Sequence, residues 1–135
     1  MAEKIIFDCD NTLGILFNEV DDGLTILYLL GTPGVDLLGI TTTFGNGRID
    51  RVFPQTRKLI QHLKLDIPAL KGESKDSLGE PTQASMFLVE QVNQHPGEIT
   101  LLATGPLGNL GTAVKTDPDF FHKVKRIIVM GGYLE

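Results

Sequence analysis

Short β-branched runs alternate along this chain with longer stretches in which apolar residues recur every three or four positions. Ile5-Ile6, Ile99-Thr100-Leu101-Leu102 and Ile127-Ile128-Val129 have the length and composition of buried strands, and the segments between them have a helical period. That alternation is the signature of βαβ units built around a parallel sheet. It predicts strands over residues 4–7, 35–43, 67–70, 99–103 and 125–130, and helices over 22–30, 50–63, 82–93, 107–115 and 118–122. Asp21-Asp22 favours the positive end of a helix, Pro106 suits a first turn, and Asp117-Pro118 reads as a cap followed by proline. Gly31 before Pro33, and Pro96-Gly97, read as stops, and residues 72–80 are polar enough for a loop. The expectation is one α/β domain over residues 1–135, with an open, mainly parallel sheet flanked by helices.

The polar residues fall at the carboxyl ends of the predicted strands. Asp8 and Asp10 follow the first, Thr43 to Asn46 the second, Thr104 the fourth and Gly131-Gly132 the fifth. Open α/β sheets place their sites along that edge. Asp8, Asp10, Asp21 and Asp22 crowd four carboxylates around one loop. Helix capping accounts for one or two of them. Carboxylates held close together repel, and a hard cation such as Ca²⁺ or Mg²⁺ is the usual means of keeping them there.

Charge and cysteine usage narrow the class. Seventeen acidic against twelve scattered basic residues give a net charge of −5, which argues against a nucleic-acid partner, because neutralising phosphates takes clustered Lys and Arg. Residues 24–40, the longest apolar-rich stretch, are broken by Gly31, Thr32, Pro33, Gly34 and Asp36, too soon for a membrane span. Cys9 has no partner for an internal disulfide, and no leader pattern precedes the first strand, so a cytoplasmic setting is expected. Cys9 itself reads as a small buried residue between two aspartates, and His62, His95 and His122 read as surface residues.

Residues 5–13, Ile-Ile-Phe-Asp-Cys-Asp-Asn-Thr-Leu, resemble the first motif of haloacid-dehalogenase-type phosphatases. There Asp8 would be the nucleophile of a Mg²⁺-dependent reaction. The same stretch is similar to the opening of the inosine-uridine-type nucleoside hydrolases, in which a strand leads to Asp-x-Asp and then an Asp-Asp pair. The spacer before Asp21-Asp22 is longer here than is usual in that family. Downstream segments separate the two. Residues 39–46, ending in Gly45-Asn46, resemble the hydrolases' second strand. Thr104-Gly105-Pro106-Leu107-Gly108-Asn109 is similar to their Thr-Gly-Pro-Leu-Thr-Asn turn, and Val129-Met130-Gly131-Gly132 to their Met-Gly-Gly close. A phosphatase needs an acidic late strand end, which this close lacks.

The hydrolase resemblance implies a Rossmann-like fold and cleavage of the N-glycosidic bond of a ribonucleoside, in purine or pyrimidine salvage. It implies Asp10 as the general base acting on a calcium-bound water, and Asp22 as a direct Ca²⁺ ligand. It also implies Asp8 ligating or supporting that metal, and the Thr104 carbonyl as a further ligand. Asp21 would bind the ribose hydroxyls, Asn46 the ribose or the water, and Met130 would pack near the sugar. Members of the family are roughly twice this length, so the chain reads as an amino-terminal part. Little activity on its own, or a non-catalytic domain, is then expected, with a homo-oligomer or a complementing carboxyl-terminal fragment as partner.

Overall fold

The first strand, β1 (Glu3–Cys9), lies at the centre of a five-stranded sheet ordered β3-β2-β1-β4-β5. Its neighbours are β2 (Val35–Thr42) and β4 (Ile99–Ala103), with β3 (Ala69–Leu70) and β5 (Arg126–Val129) at the two edges. Every pairing is parallel. The structure, a computed structural model, describes residues 1–132, so the last three positions of the expected domain lie outside the described residues. Five helices make the crossovers: α1 (Asp21–Gly31), α2 (Ile49–His62), α3 (Gln83–Gln94), α4 (Gly108–Thr116) and the single turn α5 (Phe120–Lys123).

Alternation along β1 divides the core. Ile5, Phe7 and Cys9 face Ile26 and Leu29 of α1 and Ile60 of α2. Ile6 faces the other way, packed with Leu88 and Val92 of α3, Leu110 and Ala113 of α4 and Phe120 of α5. Each fully buried side chain of this size contributes roughly 1.5–3 kcal/mol. The chain winds from β1 through β2 to β3, then returns to the far side of β1 as β4 and β5. The order therefore reverses between β1 and β4, and their carboxyl ends flank the crevice in which open α/β sheets bind ligands. At the opposite end Glu3 receives Lys125 and Arg126, tying the start of β5 back to β1. The Lys125 ammonium, with Thr100 adding, holds the Glu3 carboxyl down to about 2.

The departures from the expected elements have local causes. Strand 67–70 shrinks to Ala69–Leu70, because Pro68 has no N–H to give and offers only its carbonyl, which accepts from Ile40 N at 3.0 Å. Helix 118–122 becomes Phe120–Lys123, since Asp117 still caps α4 and then accepts from Asp119 N at 3.1 Å. The helix after Pro106 starts only at Gly108, so that proline precedes it rather than forming its first turn. Gly31 closes α1 as its last residue, and the left-handed conformation falls on Gly34, at φ 81°. The start of α3 uses a capping box not expected from the sequence, with Ser85 N donating to Thr82 Oγ1 at 3.2 Å and Thr82 N to Ser85 Oγ at 2.9 Å.

Among the described residues no helix is long and apolar enough to cross a membrane. Among the described residues, α1 and β5 present open apolar surfaces. On α1, Leu24, Leu27 and Tyr28 face away from the core, so that helix is apolar nearly all round. On β5, Ile127, Ile128, Val129 and the following Met130 are all exposed.

Phe120 and Phe121 form a tilted ring pair with centroids 5.5 Å apart, yet only Phe120 is buried. Phe120→Ala should cost ~3–5 kcal/mol in a urea titration, as for a large aromatic cavity, and Phe121→Ala about 1 kcal/mol or less. Equal losses would mean that α5 is not packed as described.

Candidate active site

Asp8 is the penultimate residue of β1 and is almost fully buried. Its Oδ2 accepts from Thr41 Oγ1 at 2.6 Å and from Asn109 Nδ2 at 2.9 Å, while its buried Oδ1 has no hydrogen-bond partner. Burial pushes the Asp8 carboxyl up to about 7; the two hydrogen bonds oppose that shift, and the charges of Glu73 and Asp10 add to it. Asp22, in the first turn of α1, is also buried. Its Oδ2 accepts from Asp10 N at 3.1 Å and its Oδ1 from Thr104 Oγ1 at 2.7 Å. Burial raises its pKa as well, against the Thr104 hydrogen bond and with help from the neighbouring Asp10.

Asp10 lies between these groups. Its Oδ2 accepts from Asn46 N at 2.6 Å. A Cβ at Gly45 would overlap that oxygen, and one at Gly105 would come within 3.2 Å of Oδ1. Two backbone turns therefore close on one carboxylate, which is possible only where neither carries a side chain. Asn46 is gripped in turn by the loop after β1: its Nδ2 donates to Glu19 Oε2 at 3.2 Å, and its carbonyl accepts from Asn18 Nδ2 at 3.0 Å. That loop is fastened by Thr12 Oγ1 to Glu19 O at 2.7 Å and by Gln55 Nε2 to Leu13 O at 2.7 Å. Its tip, Leu16-Phe17, projects into solvent with Phe17 at φ 63°. Beside Gly45 opens a cavity of about 720 Å³ between the 44–50 and 71–77 segments, with Phe44, Arg48, Lys71 and Lys75 in its walls.

Of the residues singled out from sequence, the fold brings Asp10, Asp22 and Thr104 together, with Asp8 two residues before Asp10 near the end of β1. Thr104 takes part through its hydroxyl, and its N–H donates to Asp8 O at 3.0 Å. Asp21 is exposed at the start of α1, Asn46 is exposed above Asp10, and Met130 is exposed beyond β5. The expected three-carboxylate cage is not preformed: among the described residues no group of three or more His, Cys, Asp or Glu side chains is placed to hold a metal ion. The reason is visible in the hydrogen bonds, since protein donors occupy Asp8 Oδ2 and both oxygens of Asp22. The donors left over still suit a hard cation, being anionic oxygens with a buried, unpartnered Asp8 Oδ1 among them. The sequence reading missed Thr41, Asn109 and Glu73. Asn109 ends the Thr-Gly-Pro turn and Thr41 lies in a threonine run, but nothing in the 72–80 segment marks Glu73 as buried. The phosphatase alternative requires an accessible Asp8, and this carboxylate is 1% exposed. Cys9 is buried as expected, and burial pushes its thiol well up.

Burial lifts the Asp8 and Asp22 carboxyls above their unfolded value near 4, so between about pH 4 and about pH 7 the folded state keeps protons that the unfolded chain has released. Folding stability should therefore fall as pH rises through the interval from about 4 to about 7, and level off above it. Thermal melts in metal-free buffer should show that decline. Asp8→Asn should flatten it and raise the midpoint at about pH 8. A midpoint that climbs over the same interval would contradict the burial of these carboxylates.

Residues 5–135 match the family profile described as inosine-uridine preferring nucleoside hydrolase. Uridine nucleosidase 1 of Arabidopsis thaliana is 33% identical over 96% of this chain and 45% of its own length. That alignment runs over 158 positions against a chain of 135 residues, so the relative carries residues inside the matched region that this chain lacks. The solved structure of a plant nucleoside hydrolase, PpNRh1, superposes with a TM-score of 0.83 at 30% identity, covering 98% of this chain and 49% of the other. A purine-preferring ribonucleoside hydrolase from Gardnerella vaginalis superposes with a TM-score of 0.82 at 26% identity, over 96% and 49%. The chain thus spans about half the length of these relatives. With the profile matched from β1 to beyond β5, the chain belongs to the inosine-uridine preferring nucleoside hydrolase family.

Proposed function

We propose that the carboxylate face of this chain serves hydrolysis of a ribonucleoside, releasing the nucleobase and ribose, with Asp10 as general base. The observation that carries the reading is the confinement of Asp10 between Gly45 and Gly105, next to Asp22 and Thr104, at the β1/β4 crevice. Asp8, Asp10, Asp22 and the Thr104 carbonyl are the groups that would hold the ion, and an all-oxygen set of this kind suits Ca²⁺. When bound, such an ion would acidify and orient a water.

Breaking the C1′–N bond leaves positive charge on the ribose, and a buried anionic face stabilises that charge as it develops. Asp10 takes the proton from the water that adds to C1′, while Asp21 and Asn46 receive the ribose hydroxyls and Met130 packs against the sugar. The similar proteins named above act on uridine or prefer purine nucleosides, so ribonucleoside is the class they support and the base is left open. The reaction would serve nucleoside salvage, and the unpaired Cys9 suits a reducing compartment such as the cytoplasm.

Groups from the unmatched half of the relatives, carried by a complementing carboxyl-terminal fragment, are proposed to complete the site; in its absence a second copy of the chain covers the exposed apolar faces. The apolar outer faces of α1 and β5 support such a cover. A proton donor and a ribose clamp are each commonly worth ~10²–10⁴ in rate, so this chain alone should turn over uridine or inosine weakly.

Three measurements test the reading. Calorimetry should show Ca²⁺ binding that Asp22→Ala abolishes, and binding unaffected by that change would remove the metal assignment. Release of free base from uridine or inosine, by this chain or by its complex with the complementing half, should be lost in Asp10→Asn. Retained activity in Asp10→Asn would exclude it as the base. In sedimentation the isolated chain should associate at micromolar concentration, and a stable 14.8 kDa monomer would speak against the proposed cover.

A further inference from the structure

Two dipeptides from distant parts of the chain interlock behind Asp8. Gly72 lies so close to α4 that a Cβ there would overlap the Asn109 side chain and the Thr42 carbonyl. Reciprocally, a Cβ at Gly108 would overlap the Glu73 carboxylate. Each glycine makes room for the side chain that follows the other. Glu73 is 3% exposed although it belongs to a polar surface loop, and its Oε2 accepts from Gly79 N at 3.2 Å. Its own N–H donates to Asn109 Oδ1 at 3.1 Å. With that oxygen taken, Asn109 Nδ2 points at Asp8 Oδ2 and at Thr42 O, both at 2.9 Å. All three partners agree on one orientation of the amide. Lys71, Gly72, Ser74 and Lys75, which flank Glu73, line the cavity beside Gly45.

We propose that Glu73 is a positioning residue: its buried carboxylate fills the space above Gly108 and fixes the 71–80 loop against α4, which holds the Glu73 main-chain N–H on Asn109 Oδ1 and so sets the Asn109 amide on the Asp8 carboxylate. Cavity wall and carboxylate centre are thereby one mechanical unit. Its importance for catalysis rests on the hydrolase reading above, but the interlock itself does not.

A double-mutant cycle on the whole chain tests it without reference to activity. Gly108→Ala should lower the thermal midpoint by about 5 °C or more, because the new Cβ meets a carboxylate that has nowhere to go. In the Glu73→Ala background the same change should be neutral or raise the midpoint. Glu73→Gln, which keeps the shape and an acceptor for Gly79 N, should retain the wild-type fold. In the same proteins the Asn109 side-chain amide protons, followed by NMR, should exchange at least tenfold faster in Glu73→Ala than in wild type or Glu73→Gln. The amides of Phe7 and Leu101 should be unchanged, which separates lost positioning from general loosening. An equal effect of Gly108→Ala in both backgrounds would overturn the interlock. Unchanged Asn109 exchange in Glu73→Ala would overturn the link to Asp8. Neither result bears on Asp10→Asn, so the hydrolase reading and this proposal can fail separately.

Discussion

Three carboxylates kept out of water at the end of one central strand impose the cost around which the rest of this molecule is arranged. Asp8, Asp10 and Asp22 are each at most 5% exposed. Burying an ionised carboxylate without partners is prohibitive, whereas hydrogen bonds to a charged acceptor recover roughly 1.5–3 kcal/mol each. The donors come from every element that reaches the crevice: Thr41 from β2, Asn46 from the turn after it, Thr104 from the turn after β4, and Asn109 from α4. Asp22 also lies in the first turn of α1, where the helix end favours negative charge. The sheet order is what allows this, since only a strand with parallel neighbours on both sides can receive donors from both.

Backbone proximity does as much as side-chain chemistry. Gly45, Gly72 and Gly108 each stand where a Cβ would strike a polar group of the site or its support, and one at Gly105 would meet the Thr43 methyl and crowd Asp10. Turns can then press directly on carboxylates, leaving little freedom to Asp10 and Glu73. Such confinement keeps the carboxylate face rigid, which on the proposed hydrolase reading would favour stabilisation of developing positive charge. Opposite this rigid centre stands the 11–20 loop, anchored at its base through Thr12 and Gln55 and open at its apolar tip.

The fold was largely legible because parallel sheets need β-branched runs separated by helical stretches, and that period survives in a single sequence. Ile5-Ile6 and Ile99 to Leu102 could only be interior strands. What failed was local: Pro68 and Asp117 shifted the ends of elements through hydrogen bonds that depend on tertiary neighbours. The placement of Asp8, Asp10 and Thr104 at one edge followed from strand ends, and that of Asp22 from its helix start across the loop from Asp10. Partnerships did not. Thr41, Asn109 and Glu73 reach the carboxylates across many residues of chain, and no spacing rule connects positions that meet only through register and glycine contacts.

The pairing of β1 with β4 also governs when the site can come into being. Lys4 lies beside Ile99 and Asp8 beside Ala103, so closing this ladder brings together segments almost a hundred residues apart. Loop closure on that scale is slow, and during synthesis β1, α1 and β2 emerge long before β4 and α4. Until then Asp8 lacks Asn109, Asp22 lacks Thr104, and the carboxylates remain hydrated and far apart in energy from their final state. The nascent amino-terminal half already carries Thr41 and Asn46 for Asp8 and Asp10, and the electrostatic cost of the crevice is met in full only when β4 and α4 dock and bring Thr104 and Asn109.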